Sequence, residues 1–220
     1  MKTITIHTAF LTFAIAALCG GCSNVYYGTM ETFGHHKRDI LVDRVTDARD
    51  AQTEAKGQFA SALDEFSSVL NYEGGELESK YKKLDAEYKK SKSKADAVHD
   101  RIKDVKRVAD ALFEEWEDEL DDYTSDSLRE TSALKLKETE KRYVKLITAM
   151  ESAESKIEPV LAAFKDQVLF LKHNLNAQAI ASLQDELGTL ENEIGILIGE
   201  MEKSIEEADV FIRQMLLQSQ

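Results

Sequence analysis

The sequence predicts an all-α protein: a long antiparallel, coiled-coil-like bundle of about four helices. Three observations lead there. The 220-residue chain contains a single proline, charged residues make up 31% of it, and apolar residues recur in alternating steps of three and four across residues 37–217. That spacing has a period near 3.5, so each apolar stripe calls for a partner helix and a left-handed wrap. The regular spacing also separates the chain from a disordered acidic polymer.

Residues 1–21 read as a signal peptide. Lys2 supplies a charged start and residues 9–18 an apolar run. A membrane-spanning helix needs roughly 20 apolar residues, so this run is too short to span. Small residues Gly20 and Gly21 lead to Cys22, followed by polar Ser23 and Asn24. The pattern is that of a bacterial lipoprotein signal, with Cys22 as the lipidated residue. Cys19 stands three before it, where such signals usually carry Leu. Cleavage before Cys22 would leave one cysteine, blocked by lipid, and no disulfide. Two or more acyl chains anchor stably, whereas one is marginal. With Ser rather than Asp after Cys22, similarity to known sorting patterns implies the periplasmic face of the outer membrane. Residues 22–36, with Gly28 and Gly34 and no stripe, read as a lipidated tether to the bundle domain at 37–217.

Helix one is expected over residues 37–70, with the seam Leu41, Val45, Ala48, Gln52, Ala55, Phe59, Ala62, Phe66 and Val69. Gly74-Gly75 ends it, because tandem glycine weakens a helix and permits a tight turn. Helix two follows over 76–122, its seam running from Leu77 through Ser91 to Trp116. Ser127 and Glu130 form a capping-box pattern that would open helix three over 127–175. Its seam runs from Leu136 to Leu171 and keeps phase across Pro159, which predicts a kink rather than a break. Phase is lost at residues 173–176. Asn176 is an N-cap candidate for helix four over 177–217, whose seam runs from Ile180 to Met215. One unbroken final helix is the alternative.

Folding each helix back on the last gives an up-down-up-down bundle. The register predicts three charge matches: the acidic run 114–119 facing Lys135, Lys137 and Lys141; the lysines of 89–94 facing Glu154 and Glu158; and Asp39, Asp43 and Asp47 facing Arg107, Lys103 and Arg101. Helices one and four are too short to cover the turn between helices two and three. Residues 110–122 and 127–135 should therefore project by roughly 20 Å at ~1.5 Å per residue.

That hairpin tip, with Glu114, Trp116, Glu117, Asp118 and Tyr123, is the candidate interaction site. His173, Asn174 and Asn176 form the second candidate, as a polar layer, a cap or a ligand site. Gln52 and Ser91 fall near one level and are candidates for setting register. Adjacent His35 and His36 point about 100° apart on a helix and lack a third ligand. No nucleophile elbow, phosphate-binding glycine loop or zinc motif occurs. The net charge of −13 opposes nucleic acid as a partner.

Residues 33–44 (Phe-Gly-His-His-Lys-Arg-Asp-Ile-Leu-Val-Asp-Arg), 111–120 and 158–183 resemble a family of Gram-negative lipoproteins designated domain of unknown function 2959. The resemblance implies a helical fold and an envelope location, and no activity, cofactor or binding residue. The combined expectation is a non-catalytic structural or adaptor lipoprotein. It would need no cofactor, hold the membrane through its lipid, and bind an envelope protein or itself. A ligand- or divalent-cation-binding module is the alternative.

Overall fold

A computed structural model describes residues 37–70, 77–174 and 176–218. The signal segment, Cys22, the tether with its histidine pair, and the glycine turn lie outside the described residues. The described chain forms four helices, α1 (Lys37–Leu70), α2 (Leu77–Glu119), α3 (Asp126–His173) and α4 (Ala177–Gln218), with a 3-10 turn over Leu120–Asp122. The chain divides into two compact units, Met1–Ile40 and Leu41–Gln220, and the bundle belongs to the second.

Within the bundle α2 packs on α3, and α3 on α4. Side chains of α1 reach both outer neighbours. Lys94 Nζ meets Glu54 Oε2 at 2.6 Å, and Gln58 Nε2 donates to Glu87 Oε2 at 2.7 Å. On the other side Arg49 Nη1 meets Asp209 Oδ1 at 2.9 Å, and Lys56 Nζ meets Glu202 Oε1 at 3.2 Å. In each set one residue number rises as the other falls, so α1 runs antiparallel to α2 and to α4. The four helices therefore close into an up-down-up-down ring.

The seams form the core. Every α1 seam position from Leu41 to Val69 is buried, polar Gln52 included. The α2 seam is buried from Ser91 to Trp116, while Tyr81 and Tyr88 are half-buried near its start. On α4 the seam is buried from Ile180 to Met215 except at Leu187. Stability comes chiefly from these stripes, at roughly 1.5–3 kcal/mol per fully buried large side chain.

Helix α3 runs without interruption through Pro159, as the unbroken phase of its seam requires. Its start differs from the capping-box expectation. The N-cap is Ser125, whose Oγ accepts from Leu128 N at 3.4 Å and whose carbonyl accepts from Arg129 N at 3.0 Å. Asp126 then stands in the first turn, where the helix dipole favours an anion. Ser127 is already helical, and its carbonyl accepts from Thr131 Oγ1.

The charge register is corrected in detail. Lys89, Lys90 and Lys92 pair within α2, with Asp85, Glu87 and Asp96. Asp47 pairs with Arg44, and Arg101 and Arg107 both turn to Asp104. Partners three or four residues away are held by the helix itself. A cross-helix pair must order two long side chains for ~0.2–1 kcal/mol. Some cross-helix matches do form: Lys106 with Glu151, Lys145 with Glu207, and His99 with Glu154. Lys92 also feels the charge of Glu158.

Gly188, Gly195 and Gly199 lie inside α4, and a Cβ added at any of them would meet nothing within 4 Å. Glycine in an open helical position mainly loosens the unfolded chain. Alanine at all three should raise stability by about 1–3 kcal/mol in total, read as a higher thermal midpoint. A lowered midpoint would contradict an open helix surface there.

Candidate functional site

The α2–α3 hairpin runs past the other helices of its unit. Ser152 Oγ donates to Glu200 Oε2 at 3.1 Å, and Lys145 Nζ meets Glu207 Oε1 at 2.7 Å. Continuing that register places the end of α4 beside Leu134. Continuing the α1–α2 register places Leu41 beside Arg107. The chain between them forms a two-helix tip.

A small core holds the tip together. Trp116 is 9% exposed, and its Nε1 donates to Ser132 Oγ at 2.8 Å. Tyr123 Oη donates to the same oxygen at 3.4 Å and is 38% exposed. Phe113 and Tyr143 meet edge to face with ring centroids 5.4 Å apart. Trp116 is thus a seam residue that closes the hairpin. Ser132, its partner, was not marked by the apolar stripe that begins at Leu136. Stepping back four residues at a time from Leu136 reaches Ser132 and then Leu128, which is the signal that would have found them.

At Glu114, Glu117 and Asp118 the expected neutralisation by the lysines of α3 is not formed among the described residues. Glu114, Glu117 and Asp118 are exposed and make no ion pair among the described residues, and neither do Lys135, Lys137 and Lys141. Consecutive helical residues fan by about 100° each, so a run of acids cannot all face one neighbour. The edge of α2 turned toward α3 is taken by Phe113 and Trp116. The carboxylates of Glu114, Glu117 and Asp118 stay in solvent.

Asn174 and Asn176 build the α3–α4 turn and settle the two-helix alternative in favour of a break. Asn174 Nδ2 donates to Phe170 O at 2.9 Å, and its backbone N–H donates to Leu171 O at 3.2 Å. Asn176 Oδ1 accepts from Ala179 N at 3.0 Å, the expected N-cap of α4. His173 and Asn176 are exposed, so these residues cap helix ends rather than form a buried polar layer. The buried polar contact lies elsewhere. Ser204 Oγ donates to Gln52 Oε1 at 2.8 Å, with both residues fully buried. Ser91 does not share that contact; it lies 3.4 Å from Gln58 Nε2.

An open cleft of about 410 Å³ runs between α2 and α3, floored by Ala95, Ile157 and Leu161. At its rim His99 Nδ1 and Glu154 Oε1 stand 2.5 Å apart. Among the described residues no group of three or more His, Cys, Asp or Glu side chains is arranged to hold a metal ion. No described helix is long and apolar enough to cross a membrane.

Burial pushes the Tyr143 hydroxyl up to about 12, and the nearby Asp110 and Glu151 charges add to the shift. The neutral phenol is favoured in the folded chain. Its contribution to stability is complete below pH 10 and is lost as the pH rises towards about 12. Absorbance titration of the native chain should show one late tyrosine that disappears in Tyr143→Phe. An unchanged curve in that variant would contradict the assignment.

Fold and tip together define a class: an antiparallel four-helix bundle with a projecting acidic hairpin. Residues 26–215 match the family described as protein of unknown function (DUF2959), and the chain belongs to that family. No curated protein matches it.

Proposed function

We propose that this protein is a non-catalytic, lipid-anchored adaptor of the cell envelope, held at the periplasmic face of the outer membrane through Cys22. Its bundle is a rigid spacer and its hairpin tip is the contact surface. The observation that carries this reading is the uncompensated acid of the tip. Glu114, Glu117 and Asp118 stand exposed, without ion pairs among the described residues, on a hairpin closed by Trp116 and Ser132. An exposed acidic helix edge steers and selects a protein partner. The signal pattern ending at Cys22 supports the anchor.

Two measurements test the proposal. Replacing Cys22 by Ala should abolish fatty-acid labelling and release the chain from the membrane fraction. In-cell photocross-linking from the tip should capture an envelope protein, and Glu114→Lys, Glu117→Lys and Asp118→Lys together should change what is captured. Cross-links unaltered by that charge reversal would remove the tip from the proposal.

A further inference from the structure

We infer that the tip is a docking face for a basic amphipathic helix of a partner protein, which would extend the bundle beyond the end of α4. The inference rests on the adaptor reading above and names the chemistry of the partner.

Two features of the tip point the same way. The first is an apolar stripe that continues after its partners stop. On α2 the stripe passes from buried Leu112 and Trp116 to half-buried Leu120 and then to exposed Tyr123. On α3 it passes back from buried Leu136 and Ser132 to Leu128, which is 59% exposed. Leu128, Ser132 and Leu136 are spaced by four, so Leu128 belongs to the same helical stripe as the core. It lies beyond the level of Leu134, where α4 ends. A stripe lying between two paired helices is the surface a third helix packs against.

The second feature is charge. Glu114, Glu117, Asp118, Glu119, Asp121 and Asp122 lie on the α2 side of the tip, exposed and without ion pairs among the described residues, whereas on the α3 side Arg129 pairs with Asp126. A helix with apolar residues on one face and Lys or Arg beside them would cover Leu128 and Tyr123 and neutralise the rim. A second copy of the tip would set carboxylate against carboxylate, which opposes self-docking. From buried Trp116 to exposed Tyr123 the stripe covers about two turns, roughly 10 Å, which sets the length of partner helix it can hold.

The test uses the chain from Ser23 onward, which retains the whole compact unit Leu41–Gln220. Two labelled synthetic helices of equal length are the probes, one of Leu and Lys and one of Leu and Glu, with Leu at the same seam spacing. Peptide anisotropy and the emission of Trp116, the only tryptophan, report binding. The Leu/Lys helix should bind and the Leu/Glu helix should not. Leu128→Gln should weaken binding roughly tenfold, and Glu117→Lys with Asp118→Lys should weaken it and flatten its salt dependence. Val144 is similarly exposed on α3 but lies away from the tip, and Val144→Gln should change nothing. Full affinity in Leu128→Gln would reduce the binding to charge attraction and overturn the docking face. A concentration-dependent doubling of mass, abolished by Leu128→Gln, would assign the face to a second copy instead. In cells, tip cross-links that survive Leu128→Gln would leave the adaptor reading standing without the basic helix. An absence of tip cross-links would remove the adaptor reading whatever the peptide does.

Discussion

Phe164→Ala should lower the unfolding free energy by roughly 3–5 kcal/mol, the largest loss expected from any single truncation in the bundle. Phe164 lies on α3 and is 1% exposed. Its ring meets Phe66 of α1 edge to face at 6.3 Å and Tyr88 of α2 at 6.1 Å. One side chain thus joins three helices. Truncation leaves a cavity and also removes two aromatic pairs, each worth about 0.5–1.5 kcal/mol beyond its buried area. Phe164→Leu keeps most of the volume and should cost much less. Urea unfolding followed by far-ultraviolet circular dichroism gives both values. A loss below about 1 kcal/mol for Phe164→Ala would mean that the surrounding side chains collapse into the space, and would refute the aromatic junction as a main support.

The second large effect concerns the buried polar pair. Gln52 accepts from Ser204 through Oε1, but its Nε2 is buried without a hydrogen-bond partner. A buried donor left unpaired costs about 1–3 kcal/mol. Replacing the pair by Gln52→Leu with Ser204→Ala should therefore raise stability by about that amount. Gln52→Glu should do the opposite, by roughly 3 kcal/mol or more at neutral pH, because it places a carboxylate where no cation stands. Burial favours the protonated form of that introduced carboxyl, so its penalty should shrink in acid and grow as the pH rises above about 4. If the Leu/Ala pair were less stable than the natural one, the polar contact would be a net support. If Gln52→Glu were neutral at pH 7, water would have to reach the site. A polar residue in an apolar seam commonly selects register at a cost in stability. Gln52 and Ser204 stand in such a position between α1 and α4, the two helices furthest apart in sequence.

Much of this architecture was legible in the residues. The α1 seam, read in steps of three and four from Leu41 to Val69, is the buried stripe. Asn176 caps α4 as its position before the Ile180 stripe implied. The helix boundaries were legible to within one or two residues, with the 3-10 turn at Leu120–Asp122 finishing what read as the last turn of helix two. Periodicity succeeds here because the 3.5 repeat and the helix share one geometry over tens of residues. The site was less legible. The sequence places the acidic run against the lysines of helix three, yet Glu114, Glu117 and Asp118 remain in solvent without ion pairs among the described residues. Of the readings open at His173, Asn174 and Asn176, the structure forms the caps, at Asn174 and Asn176. The acidic run differs because residue type alone leaves open the direction in which a side chain points.

The sequence by itself determined the helices, their order, their antiparallel pairing and the faces they bury. All of these follow from spacing along one chain and from short connections. It also carried the one signal for compartment, the pattern that ends at Cys22. Only the tertiary structure decided which distant residues meet: Gln52 with Ser204, Trp116 with Ser132, and Phe164 with both Phe66 and Tyr88. It also decided that Glu114, Glu117 and Asp118 make no ion pair among the described residues. The physical reason is range. Backbone periodicity constrains each helix locally, whereas a side-chain contact depends on the rotation and register of two helices packed against each other.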